Sequence, residues 1–348
     1  MSALLAALIT LQVQPVASRA MLVEVPAEVF KPGQANVLEL GPVDPNLPWT
    51  EVVPSWNVTG SKAAEFTLEA KVVRDSGETK WYSFGTWSLH PTETRGSVKD
   101  QKDEHGNVLT DTLRVSEPGG NLMLRVTTRT PEGEQPAFKR LVLSFANTKA
   151  PAGDQSPFKQ AWGKVVEPPQ KAQGSYPNGK VLCSPTCLSM SLGYWAQILQ
   201  NPTIDSDVPE LEKVTWDPVY NGAGNWSYNV AAAGAKPGMV AYAHRLADIV
   251  DLERWIDAGV PVVCSVSWYF LHGQELKDDE NGHLVVLVGF DEKGDPVFND
   301  PGDRKQVRKT YPRADFKRAW DYSKRTVYLI YPQGHAIPKP IADEWLSN

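Results

Sequence analysis

Three side chains in the second half of the chain have the types and the order of a thiol-dependent catalytic site. Cys183 stands where a long helix is predicted to begin, His283 follows 100 residues later at the start of an apolar strand, and Asp300 ends the next strand. In such a site a thiolate attacks a carbonyl carbon, an imidazole transfers the proton, and a carboxylate orients the imidazole. The set therefore indicates nucleophilic hydrolysis of peptide or amide bonds.

The position of Cys183 favours a reactive thiol. Pro185 suits the first turn of a helix, because its missing N–H would have no partner there. A thiol at a helix N-terminus lies near the positive end of the helix dipole, which lowers its pKa. Cys264 lies inside the apolar run 260–266, where a cysteine is typically a small hydrophobic side chain. We therefore predict that Cys183 is the nucleophile, and a buried packing role is the alternative.

Two neighbouring residues compete for the role of orienting His283. Asn299 and Asp300 stand side by side in a predicted strand, so their side chains point to opposite faces of the sheet. A two-residue turn at 293–294 would place Asp300 on the face of His283. A three-residue turn would shift the register by one and place Asn299 there. The residues alone leave both alternatives open.

Upstream of the nucleophile, Gln173 precedes Cys183 by ten residues. A side-chain amide there can donate an N–H hydrogen bond to the oxyanion that forms when the thiolate attacks, which is worth about 3–4 kcal/mol of the barrier. Gln170 lies three residues away and competes for this role. The first backbone N–H groups of the helix would supply a second donor.

Composition excludes several classes of function. The 348 residues carry a formal net charge of −6 without a dense basic run, so nucleic acid is not an expected partner. The three cysteines are too few for a disulfide framework. No C-x-x-C pair and no pair of suitably spaced histidines is present, so we predict no metal site and no cofactor. No apolar run reaches the roughly 18–20 residues of a membrane span.

The hydrophobic period changes at a stretch rich in proline and glycine, which predicts two domains. Residues 21–150 alternate apolar and polar side chains between short turns, a pattern typical of an antiparallel β-sandwich. Residues 151–170 have the composition of a linker. We place the second domain at 171–335 and a C-terminal tail at 336–348.

The second domain is predicted to be α+β. The first helix carries apolar side chains on one face, namely Leu188, Leu192, Trp195 and Leu199. A second helix is predicted over 246–258. Four strands follow, at Val260–Trp268, His283–Phe290, Pro296–Asn299 and Thr326–Tyr331. Because the nucleophile lies on the helix and the base lies on the sheet, the two layers must pack together to form the site.

The N-terminal segment resembles a secretory signal. Residues 1–20 contain a short apolar stretch that ends near Val16-Ala17-Ser18, although a positively charged start is missing. Together with the low cysteine count, this segment predicts a secreted or cell-envelope protein.

Four tryptophans of the first domain have two interpretations. They would either form an aromatic platform that contacts glycan or cell-wall polymer, or pack the interior of the sandwich. These residues are Trp49, Trp56, Trp81 and Trp87.

Three segments resemble the bacterial double-glycine-peptidase-like cysteine peptidases of the papain superfamily. Tyr176–Trp195 resembles their nucleophile helix, Gly282–Phe290 their histidine segment and Val297–Pro301 their aspartate segment. The resemblance covers about 165–332. Pro54–Asn57 is similar to part of an N-terminal module that precedes such peptidases.

This resemblance implies a papain-like second domain with Cys183 as nucleophile, His283 as base, Asp300 as orienting group and Gln173 as oxyanion donor. Well-known members are part of export transporters, but this chain has no ATP-binding loop and is similar to the stand-alone branch. Relatives usually carry serine at the position of Cys187. We expect two free thiols in this helix, since a disulfide across one turn would be strained.

The sequence thus predicts a cysteine peptidase whose partner is a peptide or protein substrate. Three alternatives are open: an amidase of cell-wall peptides, an acyl transferase, and a binding protein whose peptidase fold is inactive.

Overall fold

The chain divides at Pro151 into two units. One contains the described residues of Met1–Pro151, Trp216–Asn221 and Asp343–Asn348, and the other those of Ala152–Thr215 and Gly222–Ala342. The computed structural model describes residues 19–30, 37–60, 64–129, 136–151, 153, 155–278, 281–339 and 341–346.

The first unit is built from antiparallel strands. One sheet has the strand order β1-β10-β3-β8-β7, and another has the order β2-β9-β4-β5 with β6 beside β4. The strands are β1 (Ala20–Val25), β2 (Val37–Val43), β3 (Glu51–Thr59), β4 (Glu65–Arg74), β5 (Gly77–Glu78), β6 (Tyr82–Ser88), β7 (Gly106–Leu109), β8 (Thr112–Val115), β9 (Asn121–Arg129) and β10 (Ala137–Ala146).

The alternation of apolar and polar residues in the sequence corresponds to alternating burial of side chains along β4 and β9. Apolar side chains such as Leu68 and Val126, which pair across these strands, are buried, while the residues between them are more exposed. Trp56 of one sheet contacts Phe66 and Trp87 of the other, with ring centroids 5.4 and 6.3 Å apart. These aromatic side chains form the interior of the unit.

Of the two interpretations of the four tryptophans, the aromatic platform is contradicted for three of them. Trp49, Trp56 and Trp87 are buried, so their rings pack the interior and are not accessible to a glycan. Trp81 is partly exposed, and the Arg125 guanidinium lies 4.0 Å from its ring centroid. Packing, the second interpretation, accounts for the buried rings.

The second unit combines helices with an antiparallel sheet of strand order β11-β16-β12-β13-β14-β15. The strands are β11 (Met239–Arg245), β12 (Val262–Ser267), β13 (Gly282–Phe290), β14 (Pro296–Asn299), β15 (Arg308–Thr310) and β16 (Thr326–Pro332). The helices are α1 (Cys183–Ile198), α2 (Val208–Thr215), α3 (Trp226–Gly234), α4 (Ile249–Asp257), α5 (Trp268–Leu271) and α6 (Arg313–Tyr322).

Helix α1 is buried on all sides from Ser184 to Ala196, whereas the sequence predicted a single buried face. Small and hydroxylated residues make this possible. The Ser189 hydroxyl donates to the Ser206 carbonyl oxygen at 2.6 Å, and a Cβ atom on Gly193 would lie 2.8 Å from Pro169. The helix that begins at Cys183 is therefore central to the unit.

Helix α4 begins three residues later than predicted. The Asp248 side chain accepts a hydrogen bond from the Val250 N–H, and the Asp251 side chain accepts one from the Asp248 N–H. This reciprocal capping box fixes the start of the helix. Leu246 instead donates its N–H to the Arg325 carbonyl oxygen.

The prediction that 151–170 forms a linker is wrong for much of this segment. The Phe158 N–H and the Trp162 indole donate to the buried Glu253 carboxylate at 2.7 and 2.8 Å. The Val166 N–H donates to the Val288 carbonyl oxygen at 2.8 Å. The polar, proline-rich composition of this segment is typical of a linker, but its backbone and side chains hydrogen-bond to groups inside the second unit.

The ends of the chain also differ from the predicted boundaries. Residues 1–18 of the predicted signal-like segment lie outside the described residues, and Ala20 already belongs to β1. The predicted C-terminal tail contains a last strand, β17 (Trp345–Leu346), which pairs in parallel with β1. Among the described residues, no helix is both long and apolar enough to cross a membrane.

Candidate active site

Cys183 is the first residue of α1 and the cysteine with a partly exposed side chain, whereas Cys187 and Cys264 are buried. Burial alone would raise the pKa of Cys183. The hydrogen bond and positive charge of His283, together with the N–H groups of Leu284 and Ser184, lower that pKa below its ordinary 9.0. Cys183 is thus prepared to act as a thiolate.

Burial raises the pKa of both other thiols well above 9.0. Cys187 faces the interior and Cys264 lies in β12, with its sulfur near the Val262 carbonyl oxygen. All three cysteines are free thiols. Neither buried sulfur has the electrostatic surroundings that Cys183 has.

His283 is the second residue of β13, and its buried ring bridges two partners. Its Nε2 atom lies 2.8 Å from Asp300 Oδ1, and the ring also hydrogen-bonds to the Cys183 side chain. Because Nε2 is engaged by Asp300, Nδ1 is the ring nitrogen left for the sulfur. The Trp268 ring packs edge-on against the imidazole, with centroids 4.9 Å apart.

The two partners decide the protonation of His283. Burial alone would lower its pKa, but hydrogen bonds to Asp300 and Cys183 and attraction to their negative charges raise the pKa to about 10. The raised pKa favours a protonated imidazole beside the Cys183 sulfur.

The loop between β13 and β14 is longer than the two-residue turn considered above. The Asp291 N–H donates to the Asp295 carbonyl oxygen, so residues 292–294 form a three-residue turn. The pairs Phe290–Pro296 and Leu287–Phe298 belong to different registers, because a bulge lies between Leu287 and Gly289.

The turn and the bulge each shift the pairing by one residue in the same direction, and a total shift of two residues restores the original face of the sheet. Beyond the bulge Val286 pairs with Asn299, and the next position sets Asp300 opposite Val285, on the face of His283. Asn299 faces the other side, where it donates to the Pro168 carbonyl oxygen at 3.3 Å. Its Oδ1 atom accepts from Arg308 at 2.7 Å.

Asp300 is fully buried, and its carboxylate has three donors. Burial alone would raise its pKa. The hydrogen bond and charge of His283, the Tyr311 hydroxyl and the Gly302 N–H together lower the pKa to about 2. The Tyr311 contact was not predicted, since no spacing rule links a tyrosine 11 residues downstream to an aspartate at a strand end.

Gln173 lies close to the loop that follows Asp300. Its backbone N–H donates to the Pro301 carbonyl oxygen at 2.9 Å, and its side-chain Nε2 donates to the Gly179 carbonyl oxygen at 2.7 Å. Gly179 begins a short helical turn that ends just before Cys183, and its carbonyl oxygen also accepts a hydrogen bond from the Leu182 N–H. A carboxamide nitrogen carries two N–H groups, so one remains for another acceptor.

Gln170 is placed differently from Gln173. It is exposed, and the neighbouring Lys171 contacts Ser189 and Met190 through its side chain and backbone respectively. Ser189 and Met190 are about two turns along α1 from Cys183, or roughly 10 Å. The structure thus brings Gln173, and not Gln170, toward the start of α1.

These groups together have the chemistry that thiolate attack on a carbonyl requires. A thiol with a lowered pKa contacts a protonated imidazole, which contacts an ionised carboxylate. Within the described part of the chain, no group of three or more His, Cys, Asp or Glu side chains is arranged to hold a metal ion.

Two family profiles match the chain. Residues 164–328 match the Peptidase_C39 like family, and residues 38–145 match the Peptidase C39 N-terminal domain. No curated protein matches the chain significantly. A crystal structure described as that of a C39-like peptidase from Bacillus anthracis is 20% identical, with a TM-score of 0.38. That match covers 49% of this chain and 98% of the other.

Proposed function

We propose that this protein, whose residues 164–328 belong to the Peptidase_C39 like family, is a cysteine peptidase that hydrolyses peptide bonds. The observation that carries the proposal is the pair of hydrogen bonds at His283, one to Cys183 and one to Asp300. In this proposal Cys183 is the nucleophile, His283 is the acid and base, Asp300 orients the imidazole, and Gln173 binds the oxyanion.

The reaction starts from the Cys183 thiolate and the His283 imidazolium. The sulfur forms a bond to the carbonyl carbon, and the carbonyl electron pair moves onto oxygen. That oxyanion accepts hydrogen bonds from the free N–H of Gln173 Nε2 and from a backbone N–H at the start of α1. When the intermediate collapses, the C–N bond breaks and the leaving amine takes the proton of His283.

The second half of the reaction releases the acid product. Water attacks the thioester on Cys183 while neutral His283 takes one of its protons. The C–S bond then breaks, the carboxylic acid product leaves, and the thiolate–imidazolium pair is restored. Asp300 stays ionised throughout, because its pKa of about 2 lies far below neutral pH.

The architecture forms part of the same proposal. We infer that the second unit has a papain-like fold and that the first unit is a β-sandwich module that contributes location or substrate capture. All four proposed site residues lie in the second unit. The proposal includes a secreted or cell-envelope location, which the apolar segment within 1–20 supports.

The test is turnover of a synthetic peptide mixture by the full chain, followed by mass spectrometry. Cys183→Ala should abolish cleavage, whereas Cys264→Ala should retain it because Cys264 is a buried residue of β12 that has no role in the proposed reaction. Iodoacetamide at about pH 6.5 should label Cys183 first. Preferential labelling of Cys264, or cleavage that survives Cys183→Ala, would contradict the proposal.

A further inference from the structure

The carboxylate of Asp300 is held at both of its oxygens. Oδ1 lies 2.8 Å from His283 Nε2 and accepts a hydrogen bond from the Gly302 N–H, also at 2.8 Å. Oδ2 accepts a hydrogen bond from the Tyr311 hydroxyl at 2.6 Å. Because Asp300 is fully buried, water does not replace a lost donor. Among the described residues, Tyr311 is the side chain that fixes the second carboxylate oxygen.

We propose that Tyr311 is a positioning residue, whose hydroxyl holds the Asp300 carboxylate in the orientation that keeps His283 beside Cys183. This inference rests on the proposed function, since the orientation matters only if His283 transfers protons for Cys183. Tyr311 bonds to Asp300 and Asp300 bonds to His283, so the effect of Tyr311 on His283 passes through Asp300.

The placement of Tyr311 suits such a role. Its backbone N–H donates to the Pro296 carbonyl oxygen at 3.1 Å, and its ring packs against Phe298 with centroids 6.0 Å apart. Both contacts are on β14, the strand that ends just before Asp300. Tyr311 is thus packed against β14, and its hydroxyl bonds to Asp300, the residue that follows this strand. Only 7% of Tyr311 is exposed.

A second acceptor lies near the same hydroxyl. His272 Nε2 is 3.4 Å from the Tyr311 oxygen, and His272 Nδ1 is 2.8 Å from the Trp268 carbonyl oxygen. A carbonyl oxygen only accepts, so Nδ1 carries a proton, and Nε2 is the ring nitrogen that faces the Tyr311 hydroxyl. The phenol has a single proton, and the shorter bond to the ionised Asp300 takes it. The Tyr311 proton is therefore committed to Asp300.

The experiment compares Tyr311→Phe with Tyr82→Phe in the full chain. Tyr82 is the matched control, because its buried side chain donates to Asp103 in the first unit at 2.5 Å. Both variants lose one tyrosine–aspartate hydrogen bond, but only the first loses it at Asp300. Three kinds of quantity are measured: the kinetic constants kcat and KM for a cleaved peptide, the low-field imidazole N–H resonance of His283, and the pH dependence of Cys183 alkylation.

We expect Tyr311→Phe to lower kcat at least ~10-fold with little change in KM. The His283 resonance should shift or broaden, and the alkylation midpoint of Cys183 should move to higher pH. Replacement of Tyr311 by 4-aminophenylalanine, which keeps an N–H donor at the same place, should restore most of kcat. Tyr82→Phe should change none of these three quantities.

A kcat within twofold of wild type in folded Tyr311→Phe, or an equal loss in Tyr82→Phe, would overturn the positioning role. The alkylation and resonance measurements need no substrate. If no peptide is cleaved by the wild type but Tyr311→Phe still shifts both, the proposed peptidase function fails and the positioning of His283 stands. If peptides are cleaved and neither measurement shifts, only the role of Tyr311 fails.

Discussion

Cys187 donates a hydrogen bond from its thiol to the Leu284 carbonyl oxygen at 3.2 Å, one position along β13 from His283. The N–H of the same Leu284 hydrogen-bonds to the Cys183 sulfur. Pairing between β13 and β14 stops at Val286, so β14 does not cover this part of the strand. Two cysteine side chains one turn apart on α1 thus bond to the backbone N–H and the carbonyl oxygen of Leu284, and these bonds hold the helix beside the proposed base.

This relationship predicts that Cys187 is replaceable by a small donor only. Cys187→Ser keeps a hydroxyl near the Leu284 carbonyl, so kcat/KM should stay close to wild type. Cys187→Val leaves that carbonyl buried and unpaired, which should cost about 1–3 kcal/mol of unfolding free energy and also lower kcat/KM. Urea unfolding and peptide turnover of both variants measure this. Equal tolerance of serine and valine would show that the hydrogen bond is unimportant.

The second prediction concerns the pH dependence of Cys183. The reactive form needs a thiolate and an imidazolium, so kcat/KM should rise as pH rises through the lowered pKa of Cys183. It should then fall as pH rises through the raised pKa of His283, at about 10.

His283→Ala removes the hydrogen bond and the positive charge that lower the pKa of Cys183, so that pKa should rise. A pKa higher by one lowers the thiolate fraction about tenfold below the midpoint. Alkylation by iodoacetamide at about pH 6.5 should therefore slow at least ~10-fold, while alkylation well above the midpoint should be similar in both proteins. Unchanged rates near pH 6.5 would mean that His283 does not stabilise the thiolate.

The order of the chain was sufficient to predict that Cys183 and His283 meet, but it left Asn299 and Asp300 as alternatives for the third residue. Cys183 at a helix start, His283 at a strand start and Asp300 at the next strand end are features of local pattern, and the structure brings all three together. Tyr311 carries no local signal, because its contact with Asp300 depends on how the chain returns after β15.

The register of the hairpin between β13 and β14 shows why the face on which Asp300 lies could not be predicted from the sequence. A two-residue turn would have faced Asp300 toward His283, but the observed turn has three residues and a bulge restores the parity. At the bulge, the Val288 carbonyl oxygen accepts from the Val166 N–H, and the Phe290 N–H donates to Lys164. The bulge thus lies where β13 hydrogen-bonds to residues 164–166, which belong to the segment predicted from composition to be a linker.

The third prediction separates Asp300 from its neighbour. Asp300→Asn keeps the shape of the side chain but removes the charge that stabilises the imidazolium, so kcat/KM should fall at least ~10-fold. Asn299→Ala should lower kcat/KM much less, although it removes the hydrogen bonds to the Pro168 carbonyl oxygen and to Arg308 and should cost about 1 kcal/mol of stability. Activity and thermal unfolding of both variants test this. The reverse ranking of activities would assign the orienting role to Asn299.

The last prediction concerns the oxyanion that the Gln173 amide is proposed to bind. An interaction that forms only with the tetrahedral intermediate lowers the barrier without tightening substrate binding, so Gln173→Ala should lower kcat about 10²–10³-fold and change KM little. Because Gln173 also bonds to Gly179, circular dichroism and thermal unfolding must show that the variant is folded. Gln170→Ala is the matched control and should retain wild-type kcat, since Gln170 is exposed and its neighbour Lys171 contacts α1 about two turns beyond Cys183. A change confined to KM would make Gln173 a substrate-binding residue, and a loss in Gln170→Ala as large as in Gln173→Ala would remove the assignment.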